Sequence, residues 1–144
     1  MTEDPATRRR VALAEVFDRV ATDMVDRVVQ EAVRASAFFG LSGDAARRYG
    51  GRIRALLPVA LDTLTEPTAD ARDQKMDDLV ASVRQVSDEH HVPRIIERGL
   101  VSIAFDVARR LVRDRASSSG YTADELDAEL TAFRDAFESR LFRG

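Results

Sequence analysis

The two histidines of the chain, His90 and His91, are the residues whose type and position best suit chemistry. An imidazole can bind a metal ion or haem iron, titrate near neutral pH, or hydrogen-bond the last carbonyl groups of a helix. Adjacent residues on a helix point about 100° apart, so the two rings would not normally bind one ion together. We therefore predict capping or surface histidines, with haem ligation by His90 or His91 and pH sensing as alternatives.

Other residue patterns that carry catalysis are incomplete. The chain has no cysteine, which excludes disulfides, thiolate zinc sites and cysteine nucleophiles. The pair Gly50-Gly51 is not followed by Lys-Ser/Thr, as a phosphate-binding loop requires. Glu89 is adjacent to His90, which cannot reproduce the Glu-x-x-His spacing of di-iron bundles. Ser117 to Ser119 resemble a polar linker. We predict a protein that is not an enzyme, without a metal site or cofactor.

Length and charge narrow the class of protein further. The 144 residues suit one domain, which we place at residues 1–144. The net charge of −3 comes from 22 basic and 25 acidic residues that are interspersed, which gives no general attraction to nucleic acid or anionic lipid. No uncharged stretch approaches the ~20 residues needed to span a bilayer, and the first residues do not resemble a secretory signal. We expect a cytoplasmic protein that binds neither membranes nor nucleic acid.

Apolar residues recur at helical spacing along most of the chain, and Gly and Pro mark the boundaries. A first long helix is predicted from Pro5 to about Phe39, and a short element from Ser42 to Tyr49, closed by Gly50-Gly51. The next helix contains Pro58, which predicts a kink or a late start. The remaining helices are predicted over about 69–89, from Pro93 to about Arg115, and after the capping box that begins at Thr122.

The helix predicted after Pro93 carries an apolar stripe and a basic end. The stripe, which we expect to be buried, comprises Ile95, Ile96, Leu100, Ile103, Ala104, Val107 and Leu111. The last turns carry Arg109, Arg110, Arg113 and Arg115, where cations complement the helix dipole. Residues 116–120 are predicted to form a flexible loop.

Residues 83–111 resemble a passage of bacterial globins and globin-coupled sensors, in which a short corner leads into a long helix. His91-Val92-Pro93 stand at that corner, and the last segment, from Tyr121 to Phe137, looks like the last globin helix. In haem-binding members the proximal histidine precedes the Val/Leu of the corner by five residues, and that position here is Ser87. Serine cannot ligate haem iron, so the resemblance implies a globin-like domain without haem.

Residues 11–64 resemble the amino-terminal helical domain of RsbR-type stressosome proteins and PucR-type regulators. In those proteins a long helix leads to an aromatic–Leu corner, here Phe38-Phe39-Gly40-Leu41, and then to a Leu-rich helix. The resemblance implies signal reception or protein interaction.

We therefore predict an all-α, globin-like domain of five to six helices with a sensory or regulatory role. Signalling would pass through a homodimer or a protein partner, with Phe133, Phe137 and Phe142 of the last helix as interface candidates. An apolar small molecule such as a fatty acyl chain could occupy the place that haem takes in the globins. The alternatives are a haem-binding gas or redox sensor that uses His90 or His91, and a ligand-free adaptor that binds a partner protein.

Overall fold

A computed structural model of the protein describes residues 4–39 and 42–143. These residues form six α-helices and one short 3-10 helix, and they include no β-strand, so the all-α prediction is confirmed. The α-helices are α1 (Pro5–Phe39), α2 (Gly43–Arg54), α3 (Leu57–Thr65), α4 (Ala69–Glu89), α5 (Arg94–Arg115) and α6 (Ala123–Leu141). Gly40 and Leu41 of the predicted aromatic–Leu corner lie outside the described residues.

The first half of α1 lies at the centre of the bundle. Leu13, Val16, Phe17 and Val20 recur every three or four residues and are all buried, as one face of a helix requires. This face packs against α3, α5 and α6, while the second half of α1 lies against α2. The long helix therefore connects the core to the outer α2 helix.

The boundary between α2 and α3 differs from the prediction. Helix α2 does not close at Gly50-Gly51 but continues through both glycines to Arg54. Two adjacent glycines lower helix propensity by about 1 kcal/mol each relative to alanine, a cost that tertiary packing can offset. The chain instead turns at Ala55 and Leu56. Pro58 then lies in the first turn of α3, so the predicted late start of this helix is correct.

The carboxyl-terminal helix pair follows the predicted boundaries, with one error in burial. Thr122 Oγ1 accepts a hydrogen bond from the Glu125 N–H, and the Thr122 N–H donates one to Glu125 Oε1, which completes the predicted capping box. Ile96, Leu100, Val107 and Leu111 of α5 are buried as expected. Ile95 is 75% exposed, because it is one residue away from Ile96 and so points about 100° from the buried face.

The predicted flexible loop between α5 and α6 contains a short 3-10 helix over Ala116–Ser118. Ala116 is buried, and the Ser119 hydroxyl donates a hydrogen bond to its carbonyl oxygen. Gly120 has φ +83°, a left-handed conformation that glycine adopts without a Cβ penalty. The connection is therefore a defined turn that positions the capping box of α6.

Candidate ligand-binding cavity

An apolar cavity of about 220 Å³, partly open to solvent, lies between the helices. Each of the six α-helices contributes side chains to its wall, and nearly all of them are aliphatic or aromatic. They include Leu13, Phe17, Val28, Ile53, Leu61, Val83, Leu100, Phe105 and Phe133. A cavity with such a lining offers water few polar partners, so it favours an apolar guest.

The wall between α1 and α2 depends on a close approach at Gly50. A Cβ atom at this position would lie 2.7 Å from Val29 Cγ2, closer than side-chain atoms can pack. At the neighbouring Gly51 a Cβ atom would meet nothing within 4 Å. Glycine at position 50 therefore allows α2 to pack against α1, and both Gly50 and Val29 line the cavity.

A buried hydroxyl pair adjoins the cavity at its Tyr49 end. The Tyr49 hydroxyl lies 2.8 Å from Ser87 Oγ, and both side chains are buried, although 38 residues separate them in sequence. Ser87 is the position where haem-binding globins carry the proximal histidine in the resemblance described above. In this chain the Ser87 hydroxyl instead forms a hydrogen bond with the Tyr49 hydroxyl. Burial, partly offset by the hydrogen bond with Ser87, raises the pKa of Tyr49 to about 12.

This pKa predicts a pH dependence of stability that the variant Tyr49→Phe should lack. The folded state favours the neutral phenol. The resulting contribution of Tyr49 to the free energy of unfolding is fully present below its unfolded pKa of about 10, and it is lost as the pH rises through 12. Between pH 9 and pH 11 the free energy of unfolding of the wild-type protein should fall by roughly 1–1.5 kcal/mol more than that of Tyr49→Phe. Urea titrations of both proteins at pH 9 and pH 11 measure this. A stability difference that stays constant between the two pH values would contradict it.

The two histidines terminate α4 and do not line the cavity. The His90 ring Nδ1 lies 3.1 Å from the Val86 carbonyl oxygen, which agrees with the predicted capping role. Its ring also makes an edge contact with Tyr49, at 6.0 Å between centroids. His91 is exposed and has φ +53°, a left-handed conformation.

The backbone around His91 forms a Schellman motif. The His91 N–H donates to the Asp88 carbonyl and the Val92 N–H donates to the Ser87 carbonyl, at 3.1 and 2.8 Å. Val92 is buried against Val86, the hydrophobic contact that accompanies this motif. The corner is therefore specified by backbone geometry and by Val92, and His91 occupies a position where glycine is usual.

Glu97 is a buried carboxylate that the sequence analysis missed. It is 1% exposed, and its Oε2 lies 3.4 Å from an Arg94 guanidinium nitrogen, while its Oε1 has no hydrogen-bond partner among the described residues. The same Arg94 also pairs with Asp88 on α4. Glu97 lies one residue after Ile96 in a helix whose polar positions are mostly exposed, so nothing in the periodicity singled it out.

The interface assigned to the last helix needs correction at Phe137. Its side chain is 6% exposed and packs in the core, where its ring contacts Phe105 at 5.8 Å between centroids. Phe133 is half-buried and contacts the same Phe105 ring, and Phe142 is half-buried beside the guanidinium of Arg98. Phe137 was predicted to lie on an outer face. The spacing of apolar residues defines an apolar face of the last helix, but it does not show whether that face packs against another helix of the chain or against a second copy.

The basic cluster at the end of α5 is largely neutralised by acidic side chains. Arg109 and Arg113 pair with Asp127 of α6, and Arg110 pairs with Glu31 of α1. Because the three arginine side chains are 42–61% exposed, these pairs contribute at most about 1 kcal/mol each, but they offset the positive charge of the cluster. Among the described residues no group of acidic or histidine side chains could hold a metal ion, and no helix is long and apolar enough to cross a membrane.

Known proteins offer no match to the chain. No protein-family model, no curated protein sequence and no solved structure matches the chain. The resemblance to globin-like sensors therefore stays a prediction.

Proposed function

We propose that the chain is a non-enzymatic sensory or regulatory domain whose signal is an apolar small molecule bound in the interhelical cavity. The observation that carries this proposal is the apolar cavity of about 220 Å³ to which all six α-helices contribute. A ligand there would contact every helix of the domain at once. Its binding would therefore couple to the packing of the whole bundle, which is what a receptor domain requires.

The energetic cost of the cavity supports a role for it. A fully enclosed void costs about 24 cal/mol per Å³, so about 5 kcal/mol is the upper bound for this partly open cavity. Domains are stable by only about 5–15 kcal/mol in total. A sequence that leaves so much of its packing unused, while its alanines and valines could be replaced by larger residues, is best explained by a ligand that fills the space.

The position of the histidines favours this proposal over a haem sensor. Neither His90 nor His91 belongs to the cavity wall, and His90 Nδ1 is engaged with the Val86 carbonyl. At the position where the resemblance places the proximal histidine, the chain has Ser87. Its hydroxyl contacts Tyr49, which lines the cavity. We therefore expect hemin titration to produce no sharp stoichiometric Soret band. Such a band, lost in His90→Ala and retained in His91→Ala, would instead indicate a haem protein.

A native mass spectrum tests the proposed function directly. With 1-octanol as the probe, we expect one bound molecule per chain, because the cavity is somewhat larger than the 150 Å³ site that accommodates benzene in an engineered protein. The same spectrum reports self-association, and a homodimer would have twice the mass of the 16.0 kDa chain. A spectrum without bound octanol at millimolar concentration would contradict the ligand. A monomer at high micromolar protein concentration would contradict the dimer alone.

A further inference from the structure

We infer that the ligand is an anionic amphiphile, an acyl chain of medium length with a carboxylate headgroup, and that Arg54 binds the headgroup. This inference depends on the proposed function, since it presupposes that the cavity holds a ligand. It adds the chemical class of the ligand and the residue that recognises its polar end.

Arg54 is the charged residue of the cavity wall. The described residues that line the cavity are apolar apart from Tyr49 and Arg54, and the Tyr49 hydroxyl already has Ser87 as a partner. Arg54 is exposed, so it lies where the cavity meets solvent. A ligand whose chain is surrounded by apolar side chains would therefore have its polar end beside one guanidinium.

The Arg54 guanidinium has no partner within the described part of the chain, whereas two neighbouring arginines of α2 do. Arg47 pairs with Asp44 at 3.2 Å, and Arg52 pairs with Glu89 at 2.9 Å. A guanidinium stays charged at any physiological pH and presents paired N–H groups that match a carboxylate. Arg54 therefore offers an unused anion-binding group at the edge of an apolar cavity.

The size of the cavity limits the length of the chain. If a volume of 150 Å³ accommodates the six carbons of benzene, 220 Å³ accommodates roughly nine non-hydrogen atoms. Octanoate fits this limit, with its seven chain carbons in the cavity and its carboxylate at the edge. Octanoate is ionised at pH 7.5, because carboxyl groups have ordinary pKa values near 4.

The test compares octanoate with 1-octanol, which has the same number of carbon atoms and no charge, by isothermal titration calorimetry at pH 7.5. We expect the wild-type protein to bind octanoate about fivefold more tightly than octanol, since a partly exposed ion pair is worth up to about 1 kcal/mol. Arg54→Gln should lose this preference and retain its affinity for octanol. The matched control is Arg52→Gln, which removes the same charge from the same last turn of α2 at a residue outside the cavity wall.

The outcomes separate the two proposals. Equal affinity for octanoate and octanol in the wild-type protein would overturn the headgroup inference and leave the apolar ligand in place. A preference for octanoate that survives in Arg54→Gln, or that is equally lost in Arg52→Gln, would also overturn it, because net charge and not Arg54 would then set the preference. If neither compound binds, the proposed function fails together with the inference. Circular dichroism of both variants confirms that they are folded.

Discussion

The variant Phe137→Glu is expected to unfold the domain and not merely to separate two copies of it. Phe137 is 6% exposed and packs against Phe105 and the other residues of its cluster. Removal of a buried phenylalanine side chain costs about 3–5 kcal/mol, and a buried carboxylate without a partner adds several more. The sum approaches the whole stability of a typical domain. Circular dichroism should show loss of the helical signal at 25 °C, or a urea midpoint close to zero.

The control for this change is Thr131→Glu, which places the same charge on an exposed position of the same helix. Its free energy of unfolding should lie within about 0.5 kcal/mol of the wild-type value. A Phe137→Glu protein that remains folded and becomes monomeric where the wild type is dimeric would contradict the core position. It would then restore the outer-face interface expected from sequence.

The variant Ala104→Leu should stabilise the protein and abolish octanol binding. Ala104 lines the cavity from α5, so a leucine there adds three carbons to unfilled space. At about 0.8 kcal/mol per buried methylene-sized group, the gain is up to about 2 kcal/mol. The same carbons occupy volume that the proposed ligand needs. Urea titration measures the first effect and calorimetric titration with octanol measures the second.

The matched control is Ala81→Leu, an exposed position within α4 where the same substitution adds no core contact. It should change the stability by no more than about 0.5 kcal/mol and leave octanol binding intact. If Ala104→Leu destabilises the protein by the 1–3 kcal/mol typical of overpacking, the space beside Ala104 is already filled. That result would remove the main support for a ligand cavity.

Much of the fold could be predicted because local signals and tertiary packing agree. The apolar stripe of α1, the capping box at Thr122 and the position of Pro58 each act within a few residues, so their effects are visible in the sequence. The predictions failed where packing overrides local preference. Gly50 and Gly51 lie inside α2 and not at its end, because Gly50 allows the close approach to Val29.

The candidate site was far less predictable than the helices that surround it. The possibility of an apolar ligand came from a resemblance. The cavity itself arises because side chains from six helices together leave space unfilled, and no local sequence pattern shows this. The Tyr49–Ser87 hydrogen bond joins residues 38 apart, so neither hydroxyl was identified as part of a pair. The histidines, by contrast, were correctly predicted to cap a helix or lie at the surface, because α4 ends beside them.

The cavity also determines how the domain responds to hydrostatic pressure. Unfolding of a protein lowers the total volume by about 20–100 mL/mol, in proportion to the internal voids that the unfolded chain no longer encloses. The enclosed part of the cavity of about 220 Å³ adds to this volume change, so we expect pressure to destabilise the empty domain more than the filled one. A molecule that fills the void makes the folded state less compressible. The bound and empty forms of the domain therefore differ in mechanical stiffness even where their backbones coincide.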